Sequence, residues 1–268
     1  MTTDEVHIWQ TRAGRPEDVQ AAFELLDGAE RARALRYRLR RAHDLFVTAR
    51  ALLRQALGHH LGISSAAVAL RYGKHGKPEL AEESDFRFNL SHSGDTAVLA
   101  VSRGREVGID VEDTSREVDA LGLARRFFSR AEVAWVLSHP SELFQPAFFT
   151  CWTGKEAYLK ARGDGLLFPL DAFEVLPEGD RLNLKVYGDS KETRRWSMQM
   201  LELGAGLSAA VAVEGYGWTL RVRGFPRPHH VAASCPQSTL TTAPGREPLT
   251  SYCASPSPHR STPLAFSL

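Results

Sequence analysis

Residues 149–166 read FTCWTGKEAYLKARGDGL, and the rest of the chain is best read outward from this stretch. From Trp152 to Arg162 its composition is that of a helix, closed by Gly163 and Gly165 because glycine takes the backbone conformation that ends helices. Glu156 and Lys160 are four apart and share one face, with Lys155 beside them. A solvated Glu-to-Lys pair accounts for that spacing. Yet Trp152, Tyr158 and Leu159 flank the charges, which implies a helix packed on much of its circumference.

Upstream, Val107–Asp113 reads VGIDVED. In a strand, alternate side chains share a face, so Asp110 and Glu112 project together while Ile109 and Val111 face the other way. By itself this also describes polar alternation on an exposed strand. Two carboxylates at that spacing repel unless a cation or a proton sits between them. Glu156, on a packed helix, supplies a third. Three hard oxygen ligands, with positions left for water and phosphate, suit Mg²⁺ better than zinc.

Further out, Phe88–Asp95 reads FNLSHSGD, a strand-like start running into a polar turn. A nucleophilic Ser91 or Ser93 paired with His92 does not fit, because adjacent side chains on a strand diverge. His92 as a phosphate donor and a plain structural turn both remain open. Between Arg31 and Arg54 stand eight arginines, Arg31, Arg33, Arg36, Arg38, Arg40, Arg41, Arg50 and Arg54, against Asp44 alone. Guanidinium groups donate bidentately to phosphate, so the cluster is a candidate anion site. Compositional bias is the competing reading, since the chain has 27 Arg and 6 Lys. Against that bias, Lys74 and Lys77 in KHGKPEL and Lys155 and Lys160 in the helix mark places that call for a compact ammonium.

Around these motifs, Leu45, Phe46, Ala49, Leu52, Leu53, Ala56, Leu57 and Leu61 follow helical spacing, stopped by Gly62. Thr96–Ser102 and Leu207–Val213 read as buried strands at similar points of two halves, hinting at an internal duplication. From Pro226 onward come eight of the fourteen prolines, many Ser and Thr, and no Lys, a composition expected to form a disordered tail. The 268 residues therefore divide into a folded part ending near Phe225 and a tail 226–268, and the hinted duplication would split the folded part into halves 1–113 and 114–225. Thirty-three basic against 32 acidic residues leave a charge of +1, which argues against nucleic acid or a membrane surface as partner and makes any anion site local. No apolar run approaches the roughly 18 residues of a membrane span. Cys151, Cys235 and Cys253 form no paired or metal-ligand spacing, which fits a reducing cytoplasm.

Taken in this order, GKP (Gly76–Pro78), FNLSHSGD, VGIDVE and WTGKEAYLKARGDGL closely resemble the 4'-phosphopantetheinyl transferases of the surfactin-synthetase-activating type, over roughly Glu30 to Val175. The resemblance implies an α+β fold of two similar half-domains related by a pseudo-twofold, with coenzyme A between them. It implies transfer of the phosphopantetheine arm of coenzyme A to a serine of an apo acyl or peptidyl carrier protein, releasing adenosine 3',5'-bisphosphate. Asp110, Glu112 and Glu156 match the Mg²⁺-binding carboxylates, and Glu156 also stands where the general base is proposed. Lys160 matches a lysine near the reacting phosphate. Ser91 and His92 match a pair contacting coenzyme A, His92 at the 3'-phosphate; Lys77 matches the basic residue of the GKP turn, and Arg33 a further 3'-phosphate contact. Another basic contact of the family falls on Glu30, a departure from its pattern. With both halves in one chain, a monomer is expected, and the region between Val118 and Phe148 is expected to dock the carrier. A catalytically silent paralogue that only binds coenzyme A or a carrier is the alternative.

Overall fold

The computed structural model describes residues 1–73, 77–163 and 168–224. The expected tail 226–268, together with Lys74, Gly76 and Gly165 of the motifs, lies outside the described residues. The chain runs β1 (Glu5–Arg12), α1 (Pro16–Phe23), α2 (Gly28–Ala34), α3 (Arg40–Leu61), β2 (Leu70–Tyr72), β3 (Pro78–Leu80), β4 (Phe86–Ser93), β5 (Thr96–Arg103) and β6 (Val107–Asp113). It continues through α4 (Ala120–Phe127), α5 (Arg130–Leu137), α6 (Phe144–Arg162), β7 (Phe173–Glu178), β8 (Arg181–Val186), α7 (Ser190–Arg195), β9 (Trp196–Met200), β10 (Leu207–Glu214) and β11 (Thr219–Gly224). The class is α+β. Among the described residues no helix is long and apolar enough to cross a membrane.

Both long helices stop where glycine lets them. Gly62 and Gly163 adopt φ of 68° and 82°, and their amides return to Gly58 and Leu159 of the last turn. α6 begins eight residues before the expected Trp152, because Pro146 sits in its first turn, where a missing N–H costs nothing. β4 extends through Ser93, so the turn expected from Ser91 onward is reduced to Gly94 and Asp95. The polar side chains there have cross-strand partners that make an extended backbone favourable, as the site geometry shows.

The first sheet has the order β11-β1-β5-β4 and the second β6-β10-β9-β8-β7. Sheet membership crosses residue 113: β6 pairs antiparallel with β10, and β11, the last strand among the described residues, lies parallel to β1. α3 covers one face of the first sheet through Leu52, Leu53 and Leu57 against Trp9 and Leu99. The opposite face, carrying Ile8, Val98 and Ala100, packs on Ile109, Val111 and Val211 of the second sheet. α6 covers the remaining face of the second sheet, with Tyr158 and Leu159 against Phe173, Trp196 and Ala212. β5 and β10 are therefore buried on both faces, which is why TAVLAVS and LSAAVAV read as nearly continuous apolar runs.

Candidate active site

Two sheet edges meet at the site. β4 ends the first sheet and β6 the second, and side chains of β4 stitch them together. Asn89 Oδ1 accepts from the Ile109 amide at 2.9 Å, the Ser91 hydroxyl donates to Asp110 at 2.8 Å, and the Ser93 hydroxyl donates to Glu112 at 2.7 Å. Ser93 Oγ also accepts from the Asp113 amide at 3.1 Å. These three residues alternate along β4 and so share one side of the strand. Sequence reading missed Asn89 and weighed Ser93 only as a nucleophile, although the period-two polar pattern of NLSHS was the available signal.

Gly108 determines how α6 meets this seam. A Cβ at that position would collide with the Ala157 carbonyl and the Ala161 amide of α6, so only glycine allows strand and helix backbones to approach this closely. The close approach brings Lys160 of α6 onto β6: its ammonium donates to Asp110 at 2.6 Å and to Ser91 Oγ at 3.0 Å. Burial alone would pull this ammonium down, but Asp110, Glu156 and Glu112 together hold it above its ordinary value. Glu156, one turn earlier, is buried and has its carboxyl pushed up to about 7, first by desolvation and then by the charge of Asp110, with Glu112 adding to it. Glu112 is raised for the same two reasons, desolvation and Asp110, despite Ser93 and Arg116.

The three carboxylates thus crowd one another's charge around a single ammonium. Asp110 Oδ2 is buried and has no hydrogen-bond partner. A buried carboxylate oxygen left unpaired costs on the order of 1–3 kcal/mol or more, a cost that a cation at that oxygen would remove. The oxygen-only donor set and its excess negative charge fit a hard divalent ion such as Mg²⁺. The ligand set is not closed as it stands: among the described residues no three His, Cys, Asp or Glu side chains converge tightly enough to hold an ion.

A basic region adjoins the acidic one. Arg50 of α3 is buried between the Phe46 and Tyr72 rings, 5.5 and 5.4 Å from their centroids, and its Nη1 is buried without a hydrogen-bond partner. Arg33 lies over Phe46 at 5.2 Å, exposed to solvent. His92, on the side of β4 opposite Ser91, is held below its usual imidazole range, chiefly by burial and next by Lys160, with Arg50 contributing. Its neighbourhood therefore joins the basic region to Lys160. Lys77 donates to the Lys160 carbonyl at 3.1 Å, tying the β3 strand to the end of α6. Of the sequence-derived residues, Asp110, Glu112, Glu156, Lys160, Ser91 and His92 come together, Lys77 anchors the rim through backbone, and Arg33 stands at the outer, basic end. Arg50 could be separated from its seven arginine neighbours only by its tertiary surroundings.

Lys155 is not part of this cluster. It is buried on the other side of α6, where it donates to both Glu132 oxygens at 2.8 Å and to the Phe173 carbonyl at 2.7 Å.

Comparison with known proteins follows the same outline. Residues 106–213 match the family described as the 4'-phosphopantetheinyl transferase superfamily, and residues 5–104 match the one described as 4'-phosphopantetheinyl transferase, N-terminal. Over 223 residues the chain is 38% identical to the 4'-phosphopantetheinyl transferase HetI of Nostoc sp. strain PCC 7120, covering 81% of this chain and 91% of that protein. Similarity to the 4'-phosphopantetheinyl transferase Sfp of Bacillus subtilis is more partial, 32% over 124 residues, covering 46% of this chain and 54% of that one. Among solved structures, the holo-[acyl-carrier-protein] synthase of Thermotoga maritima overlaps 41% of this chain and 62% of its own at 22% identity, with a TM-score of 0.34. Matched along both halves, and spanning nearly all of HetI, the chain belongs to the 4'-phosphopantetheinyl transferase superfamily.

Proposed function

We propose that this enzyme transfers the 4'-phosphopantetheine group of coenzyme A to a serine hydroxyl of an apo acyl or peptidyl carrier protein, as a transferase of the surfactin-synthetase-activating type. The observation that carries the reading is the buried, unpartnered Asp110 Oδ2 beside Glu112, Glu156 and Lys160, with a buried, unpaired Arg50 guanidinium nitrogen nearby. Such a site has negative charge in need of a cation next to positive charge in need of an anion. A metal-bound diphosphate cofactor with a further phosphate group satisfies both.

In this reading Asp110, Glu112 and Glu156 hold Mg²⁺, and Ser91 and Ser93 orient the first two by hydrogen bonds. When bound, the ion supplies charge neutralisation to the diphosphate oxygens. The serine oxygen of the carrier forms a bond to the β-phosphorus, and the bond from that phosphorus to the bridging oxygen breaks, releasing adenosine 3',5'-bisphosphate. Lys160 offsets the negative charge that builds on the leaving oxygen. The serine proton passes to Glu156 directly or through a water; a carboxylate that binds Mg²⁺ gives up much of the proton affinity that burial confers, so the ligand and base roles of Glu156 trade against each other. At the basic end, His92, Arg33 and Arg50 take the 3'-phosphate, while Lys77 positions the nucleotide rim.

Both half-domains, 1–113 and 114–225, act as one unit, and the strands exchanged between the sheets support a monomer. The lack of any paired cysteine spacing supports work in a reducing cytoplasm. Incubation with coenzyme A, Mg²⁺ and a panel of apo carrier proteins is expected to add one phosphopantetheine mass to a carrier, with no addition when the metal is chelated. Coenzyme A binding without any mass shift across the panel would establish the silent paralogue instead.

A further inference from the structure

Arg50 and Arg54 stand one turn apart on α3, both buried, and only one of them is satisfied. Arg54 donates to Glu30, to Asp27 and to the Val68 carbonyl. Arg50 is 7% exposed and makes no hydrogen bond or ion pair among the described residues, and its Nη1 is buried without a partner. Burying a charge in that state is costly, so something other than an acid has to hold it there. Two aromatic rings do so. The guanidinium carbon lies 5.5 Å from the Phe46 centroid and 5.4 Å from that of Tyr72.

The rings come from different elements. Phe46, one turn before Arg50 on α3, is a core residue packed with Val47 and Ala51. Tyr72 ends the short strand β2. Leu70, two residues earlier and so on the same face of that strand, packs with Leu53 and Leu57 of α3, which lays the Tyr72 ring against the same helix at Arg50. Tyr72 is nonetheless 46% exposed, so the core does not require its ring. A carboxylate in its place would neutralise Arg50 and compete with an incoming anion. An aromatic face instead attracts the cation through its quadrupole and occupies none of the N–H donors that a phosphate needs.

From this we infer that Tyr72 is a positioning residue for recognition of the 3'-phosphate of coenzyme A: with Phe46 it clamps the Arg50 guanidinium, and so it sets the preference for coenzyme A over its 3'-dephospho form. The inference rests on the transferase reading above, in which Arg50 meets that phosphate. Tyr72 acts through Arg50, and its ring rather than its hydroxyl is the working part.

Tyr72→Leu and Tyr72→Phe test it, each in the full chain with Mg²⁺ and a carrier that the wild type modifies. In Tyr72→Leu the KM for coenzyme A is expected to rise about tenfold, while kcat and the KM for 3'-dephospho-coenzyme A stay within about twofold. Tyr72→Phe keeps the ring and is expected to bring the KM for coenzyme A back to within about twofold of wild type. Calorimetric titration with adenosine 3',5'-bisphosphate and with 5'-AMP, no carrier present, is expected to show the same selective loss in Tyr72→Leu. Equal weakening toward both members of either ligand pair would place Tyr72 against the nucleotide itself and overturns the inference. Impairment of Tyr72→Phe equal to that of Tyr72→Leu assigns the effect to the hydroxyl and also overturns it, as does an unchanged KM for coenzyme A in Tyr72→Leu. A wild-type protein that modifies no carrier removes the transferase reading, and the nucleotide titrations then still decide whether Tyr72 serves a 3'-phosphate.

Discussion

Lys155 and Lys160 stand five residues apart on α6, both turned into the protein, and they are treated in opposite ways. Lys155 and Glu132 are each 0% exposed, and every strong donor and acceptor of the pair is used: Glu132 also accepts from the Val175 and Ser129 amides. Burial pushes Lys155 down and Glu132 up, and the hydrogen bonds hold the pair together against that cost. Lys160 is partly open, at 16%, while Asp110 is buried and keeps one oxygen without a partner. The first ion pair is finished and the second is incomplete. A completed pair fixes α5, α6 and β7 relative to one another; an incomplete one has capacity left for a ligand.

The sharpest way to break this contrast is Asp110→Ala. Carrier modification is expected to fall by ~10⁴-fold, or ~5 kcal/mol in transition-state terms, with the melting temperature changed by only a few degrees. A collapse of thermal stability instead would make the open pair as structural as the closed one. Lys155→Met tests the other side. It leaves Glu132 buried without its cation and is expected to cost about 3–5 kcal/mol in urea denaturation, with turnover of the folded fraction preserved. Glu132→Leu added to it should recover only part of this, because the Val175 and Ser129 amides then lose their acceptor.

Gly108→Ala should affect both properties to a smaller degree. The new methyl group meets α6 backbone that cannot rotate away, so a loss of about 1–3 kcal/mol is expected, together with reduced turnover as Glu156 and Lys160 shift from β6. His60 provides the control of a half-buried base with His7, His59 and Arg223 rather than a carboxylate around it. Burial, His7, His59 and Arg223 hold it down to about 3, and its Nε2 accepts from the Trp9 indole at 3.3 Å. A base depressed in the folded state contributes stability that is present above its ordinary value near 6.5 and lost as the pH falls toward 3. Thermal melts between pH 7 and pH 4 should therefore show an acid-side decline that His60→Phe lessens, a proton-linked effect that vanishes at pH 7.

The spacing of carboxylates in VGIDVED and of Glu156 and Lys160 in the helix was legible because strand and helix periods are local properties of the backbone. The two doubly buried strands were legible for the same reason, as unbroken apolar runs. The start of α6 was not, since the Phe144–Cys151 turns are held by packing against α4 rather than by a cap. Ser91 was read as a cofactor contact, and its hydroxyl is found donating to Asp110 while accepting from Lys160. The role of Lys155 could not be read at all, because Glu132 lies 23 residues away and their meeting depends on how α5 packs.

Sequence alone determined the residue types, their faces, and the family they resemble, because those follow from short-range periodicity and motif chemistry. Only the tertiary structure decided which charges are satisfied. That distinction left Arg50 buried with an unpaired nitrogen, closed Lys155 into a structural pair, and left Asp110 with an unpaired oxygen. Whether a buried charge has a partner depends on elements brought together from distant parts of the chain, and in a low-dielectric interior the missing partner is what marks a site for a ligand.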